Sequence, residues 1–348
     1  MFHSSYTPPW FLNNGLLMTI FVALRSSQNW TKTISEPEPP YQKLEFRQGA
    51  VPLAGWMAIP QHPQGTIVAT YGITGTLENQ WFLRILARKA YAQNYAVVLF
   101  DWRAHGESAK LSPVLTSDGI NEGKDFVNIA GEAKARGCPA PFWFTGYSLG
   151  GQLALWGIYY SQFLTPHNLK TSDVAGGAVI CPNLDSNLSL PYLIQHPTGK
   201  YIERAIAKEL KKLALKIHSY HPQEIDLAAI DRANSIWGFD RELVIPRLGF
   251  TSVEEYFTAS SPFRILPKID KPTLIFYAAD DPMFAPQVIP TLQTHCRHND
   301  ALELVLTEFG GHVGYISSLK CQGKHGDRDR WWAWNRILEW WNQLASDG

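Results

Sequence analysis

A serine set between two glycines, Gly146-Tyr147-Ser148-Leu149-Gly150, has the spacing in which a hydroxyl can be presented as a nucleophile. Spacing alone carries little, because both residue types are common. The setting adds weight: the pattern falls where an apolar run over 141–147 meets a helical pattern over 149–163. A strained turn there would lift Ser148 clear of a sheet, and the flanking glycines remove Cβ atoms that would collide with neighbouring backbone. A bland tight turn is the competing reading, and the partners decide between them. A hydroxyl is a poor nucleophile until a base removes its proton, and that base needs an acid to orient it. Among eleven histidines, His312 stands out, since it follows the apolar run 302–306 in Glu308-Phe309-Gly310-Gly311-His312, at the carboxyl end of a strand. His295 and His298 fall in a helical pattern instead. The acid is expected at the end of the strand before, where Asp280-Asp281-Pro282 offers two neighbours that spacing does not separate. An oxyanion would need two backbone N–H donors, and Leu149, directly after the nucleophile, and Ile73, between Gly72 and Gly75, fit that need. The dense stretch from Asp101 to Ser108 reads as a structural turn beside the site, with His105 fixing the loop through hydrogen bonds.

These residues must be brought together by the elements between them. Short apolar runs at 66–71, 96–101, 141–147, 174–180, 273–278 and 302–306 alternate with helical patterns at 79–93, 119–136 and 149–163. That alternation is how a mostly parallel sheet with crossover helices reads in sequence, and it places the chain in the α/β class. From 184 to 266 the alternation stops and helical patterns dominate, notably 202–217, before a strand, a helix, a strand and a final helix resume. The expected organisation is an N-terminal arm and Pro/Glu-rich linker over 1–40, a first part of the core over 41–183, a helical cap insertion over 184–266, and the second part of the core over 267–348. No internal repeat is present.

Composition bounds the rest. The chain has 348 residues, 45% of them hydrophobic, and 31 Lys plus Arg against 31 Asp plus Glu. This excludes a disordered or collagen-like chain, and the absence of a basic excess argues against nucleic acid as a partner. Cys138, Cys181, Cys296 and Cys321 are widely spaced and read as reduced thiols. The apolar run 16–24 is shorter than the roughly 20 residues a membrane helix needs and lacks the basic flank of a signal peptide. A cytoplasmic protein is therefore expected.

Taken together the motifs resemble the α/β-hydrolase superfamily, and more narrowly its YheT-like (embryogenesis-associated) branch. The resemblance rests on Pro8-Pro9-Trp10-Phe11-Leu12-Asn13-Asn14-Gly15, Gly72-Ile73-Thr74-Gly75, Asp101-Trp102-Arg103, Glu255-Tyr256 with Ser260-Ser261, Asp280-Asp281-Pro282 and Gly310-Gly311-His312-Val313-Gly314, in that order along nearly the whole chain. It implies an α/β-hydrolase fold and a serine hydrolase acting on carboxylic esters, including lipid or medium-chain acyl esters, through Ser148, His312 and Asp281. The choice of Asp281 over Asp280 is implied by the resemblance. So is the reading that the apolar stretch after the arm belongs to the fold. Two departures stand out. Tyr71 occupies a position where His is frequent in that branch, which bears on the oxyanion loop, and Met18 occupies one where Gln is usual, which bears on packing.

The expected partner is a small-molecule acyl ester, with no cofactor and no metal. Two segments raise a peripheral membrane contact: the stripe Ile202, Ala205, Ile206, Leu210, Leu213 and Ile217 ringed by lysines, and the Trp-rich end from Trp331 to Trp341. For both, packing on the core is the simpler expectation. The rival functional class is a binding protein with an inactive hydrolase site, since fold does not dictate function; thioesterase or amidase chemistry would use the same machinery.

Overall fold

The structure is a computed structural model describing residues 5–347. Its frame is one sheet in the order β1-β2-β4-β3-β5-β6-β7-β8, made of β1 (Gln42–Phe46), β2 (Leu53–Ala58), β3 (Gly65–Thr70), β4 (Tyr95–Phe100), β5 (Phe142–Tyr147), β6 (Val174–Ile180), β7 (Thr273–Ala278) and β8 (Leu302–Thr307). From β4 to β8 all neighbours are parallel, while β1 and β2 add antiparallel at one edge. Every residue of β3, β4, β5 and β7 is buried, as expected of parallel strands covered on both faces. In register, Val68 of β3 pairs with Val98 of β4 on one side and Phe144 of β5 on the other. The chain order reverses at β3, so the carboxyl ends of β3 and β5 lie side by side, where open α/β sheets form their crevice.

The strands foreseen from sequence appear within a residue of their expected ends. The antiparallel pair β1 and β2 was not foreseen: Gln42-Lys43-Leu44-Glu45-Phe46 is polar and partly exposed at the sheet edge, so it lacks an apolar run.

The covering helices include α1 (Gly15–Phe21), α2 (Trp81–Ala92), α3 (Glu122–Ala135) and α4 (Leu149–Tyr160). Between β6 and β7 the chain forms only helices and turns, among them α5 (Ser186–Gln195), α6 (Pro197–Tyr220) and α7 (Val253–Ser260), and α8 (Val288–His298) and α9 (Trp332–Asp347) complete the flanks. The helices after β6 build a second apolar cluster, in which Leu210, Ile217, Ile230, Leu243 and Phe257 pack with Ala104, Ala109 and Leu115 from the loop after β4.

The amphipathic stripe of α6 is rotated slightly from the expected one: Glu203, Ala207, Leu210, Ala214 and Ile217 are buried, Ala205 is exposed, and Lys208, Lys212 and Lys216 face solvent. Trp331, Trp332, Trp334, Trp340 and Trp341 are all in the core. The stretch before β1 is pinned down, since Glu38 accepts hydrogen bonds from Arg84 Nε at 2.8 Å and Arg88 Nε at 2.6 Å on α2. Among the described residues no helix is long and apolar enough to cross a membrane, and Cys138, Cys181, Cys296 and Cys321 are free thiols.

Candidate active site

Ser148 follows β5 directly and precedes α4, with φ 54° and ψ −129°, a left-handed conformation that a non-glycine residue adopts only under constraint. The constraint comes from packing. A Cβ on Gly146 would lie 2.3 Å from the Gly150 carbonyl oxygen, and one on Gly150 would lie 2.4 Å from that of Tyr71. Both glycines are therefore dictated by the close approach of strand, helix and loop. The Ser148 N–H donates to the Ile180 carbonyl at 3.0 Å, tying the turn to β6.

His312 reaches Ser148 from the loop after β8, its Nε2 standing 2.9 Å from Ser148 Oγ. Its Nδ1 stands 2.9 Å from Asp281 Oδ2, so the ring donates to the carboxylate and can accept from the hydroxyl. Asp281 is buried at the end of β7, and its Oδ1 accepts from the Met283 N–H at 2.8 Å. Geometry separates the two aspartates that spacing left equivalent: Asp280 Oδ1 accepts instead from the Gly311 N–H at 2.9 Å. The rings of Phe284 and His312 lie nearly at right angles, with centroids 5.0 Å apart.

One contact escaped sequence reasoning. The His312 N–H donates to Thr19 Oγ1 at 2.8 Å, and that hydroxyl donates to the Gly15 carbonyl at 2.7 Å within α1. The arm is wedged against the histidine loop so closely that a Cβ on Gly15 would fall 1.7 Å from the Asp280 carbonyl oxygen, and one on Gly314 would fall 2.4 Å from Met18 Cγ. Met18 is fully buried there, a packing role in keeping with its place in the arm. The only sequence signal was indirect, the run of glycines at 310, 311 and 314, which marks a loop that another segment approaches closely.

The loop after β3 crosses the nucleophile, and a Cβ on Gly72 would be 3.1 Å from Ser148 Cβ. Ile73 and Leu149 border the same cavity as Ser148, and among the described residues neither backbone N–H has a hydrogen-bond partner. His105 holds this loop. Burial lowers its pKa to about 4, so the ring is neutral, with Nδ1 donating to the Arg103 carbonyl at 2.9 Å and Nε2 accepting from the Thr74 N–H at 3.2 Å. Beneath it, the Asp101 carboxylate accepts from the Tyr71 hydroxyl, the Leu77 N–H and the Glu107 N–H. Tyr71 is thereby turned into the core and does not border the cavity.

The cavity beside Ser148 has a volume of about 120 Å³. Leu190, Leu193, Ile206, Leu210, Leu213 and Phe257 form apolar walls, and Asp118 and Asp240 supply polar ones. Burial, reinforced by the charge of Glu122, raises the Asp118 pKa to about 7; burial and then the charge of Asp118 raise that of Asp240 as well. Among the described residues no group of three or more His, Cys, Asp or Glu side chains is arranged to hold a metal ion.

Comparison with known proteins bears on the family and the fold. A family model described as the alpha/beta hydrolase family matches residues 73–318. The chain is 50% identical to the Synechocystis sp. protein named "Putative esterase slr0264", over 98% of this chain and 95% of that one. It is 26% identical to the Escherichia coli protein named "Putative esterase YheT", over 87% of this chain and 84% of that one. Among solved structures, an esterase of Pyrococcus furiosus superposes with a TM-score of 0.51 at 17% identity, over 82% of this chain and 88% of that one, a likeness of fold.

Proposed function

Because the chain belongs to the α/β-hydrolase family and within it to the YheT-like branch, we propose that it is a serine hydrolase that cleaves carboxylic esters through Ser148, His312 and Asp281. One observation carries this reading: the continuous hydrogen-bonded line from Asp281 Oδ2 through His312 to Ser148 Oγ, with both links at 2.9 Å. Ser148 Oγ attacks the ester carbonyl while His312 Nε2 accepts the hydroxyl proton. Asp281 holds the Nδ1–H tautomer and stabilises the imidazolium that forms. The negative charge on the carbonyl oxygen is met by the N–H groups of Leu149 and Ile73, which are held in place before reaction and so need no reorganisation. His312 passes its proton to the leaving alcohol, and an acyl group remains on Ser148. Water, deprotonated by His312, then releases the acid and restores the hydroxyl.

The helices over 184–266 act as a cap whose apolar side chains receive the acyl chain, which favours a chain of medium length or a lipid ester over acetate. The names of the two relatives, both beginning "Putative esterase", support an ester substrate. Activity of the purified chain on p-nitrophenyl esters from acetate to palmitate tests this, with Ser148→Ala as control. Expected are a maximum beyond acetate and a loss on the order of 10⁶ in kcat for Ser148→Ala. Full turnover by Ser148→Ala would overturn the reading. Covalent labelling by a fluorophosphonate, dependent on Ser148, separates an enzyme from an inactive binding protein, and thioester and amide substrates in the same panel rank the acyl-transfer alternatives.

A further inference from the structure

Six large apolar side chains, Trp10, Phe11, Leu17, Ile20, Leu24 and Leu319, are between 44% and 85% exposed. They are not scattered. Leu17, Ile20 and Leu24 recur at helical spacing on the outward side of α1 and its π-helical continuation Val22–Ser26, while Met18 and Val22 are buried on the inward side. Phe11 packs edge-on against Phe21 with ring centroids 6.1 Å apart. A groove lined by Trp10, Phe11 and Leu319 together with Lys32, Lys320 and Arg330 joins the arm to the segment after β8.

The charge around this apolar face has a single sign. Residues 5–35 and 309–326 contain no Asp or Glu. Arg25, Lys32, Lys320, Arg328 and Arg330 are exposed, and among the described residues none is ion-paired with a carboxylate. The two acids that follow, Asp327 and Asp329, are taken up by Arg336 and Lys89. A chain of formal net charge +0 thus gathers a basic rim around its exposed apolar stripe. Lone exposed apolar residues need no explanation, whereas a contiguous set on a helix face bordered by long cationic side chains matches a surface that is apolar inside and anionic outside. Pairing two copies of the chain through this face would set like charges against each other.

We propose that the face formed by residues 10–24 and 319–330 seats on an anionic lipid bilayer, with its apolar side chains entering the headgroup region and its Lys and Arg side chains meeting lipid phosphates. The assignment rests on exposure and charge and holds whether or not Ser148 is catalytic. It differs from the two membrane readings raised by the sequence, since the Trp-rich end is buried and α6 turns its apolar side inward.

Co-sedimentation of the full chain with vesicles tests it. Binding is expected to vesicles of equal parts phosphatidylcholine and phosphatidylglycerol, with little to phosphatidylcholine alone. The doubly substituted Leu17→Ser/Leu24→Ser and Lys320→Glu/Arg330→Glu proteins, shown to be folded by unchanged near-ultraviolet circular dichroism, should each lose more than about tenfold in partitioning, because each cation near an anionic surface contributes appreciably. Lys208→Glu/Lys212→Glu on α6 should bind like the wild type. The proposal is overturned if the wild type stays in the supernatant with anionic vesicles, if both arm-side variants bind as the wild type does, or if only the α6 variant loses binding. A wild type that sediments as a dimer in lipid-free solution, with the arm-side variants monomeric, overturns it too, by assigning the face to a second copy.

Discussion

The hydrogen bond to Thr19 Oγ1 anchors the His312 backbone, while Asp281 holds the ring at Nδ1. Thr19 touches no reacting atom, so it is a positioning residue in the proposed mechanism. Thr19→Val keeps the shape and removes the acceptor; it should lower kcat about tenfold with KM nearly unchanged, and Thr19→Ser should restore most of the loss. Steady-state kinetics of the three proteins checks this, and equal activity in Thr19→Val would show that the loop holds its own shape. The two aspartates make a sharper pair. Asp281→Asn removes the group that sets the histidine tautomer and should cost about 10⁴ in kcat, whereas Asp280→Asn retains an oxygen for the Gly311 N–H and should cost far less.

At the scale of elements, legibility followed burial. β3, β4, β5 and β7 are covered on both faces, so their runs are continuously apolar and read directly. β1 lies at the edge with mostly polar or half-exposed residues, and no periodicity in Gln42–Phe46 announces a strand. Ser148 and His312 were legible because each sits at a strand end with glycines that the turn demands. The aspartate was legible only to within a neighbour, since one residue along a turn redirects a side chain, which spacing does not record. Thr19 was illegible for a different reason: an isolated threonine in an apolar helix has no local signature when its partner is 293 residues away. The strand-to-helix turn itself yields a prediction. Gly146→Ala or Gly150→Ala would place a methyl group 2.3 Å or 2.4 Å from backbone oxygen, so either should abolish accumulation of folded protein, read by soluble yield and circular dichroism, while Gly323→Ala, with nothing within 4 Å, should leave it unchanged.

For the molecule as a whole, the buried acids set a pH dependence of stability. Burial raises the Asp118 pKa to about 7 and that of Asp125 to about 6 despite its pairing with Arg103, and raises Asp240 too. An unfolded aspartate gives up its proton near about 3.9, so between that value and their folded-state values these three carboxyls hold more protons in the folded state, while His105, lowered from 6.5 to about 4 by burial, acts the other way below about 6.5. Linkage then makes the stabilisation from the carboxyls complete below the unfolded value and lost as pH rises through 7. Urea midpoints should accordingly fall between pH 6 and pH 8, about the folded-state values given above, and Asp118→Asn should flatten that fall. A steeper fall in the variant would contradict the direction assigned to Asp118.

The arm that carries Thr19 also gives the polypeptide a rule about time. Translation delivers α1 well before the loop after β8, so the contact between positions 19 and 312 joins an earlier-made segment to a later-made one. In the proposed mechanism, a chain cut between α1 and α2 would keep Ser148, Asp281 and His312 yet lose the hydroxyl that anchors the histidine loop. Under that mechanism, such a cut should slow turnover at least as much as Thr19→Val does.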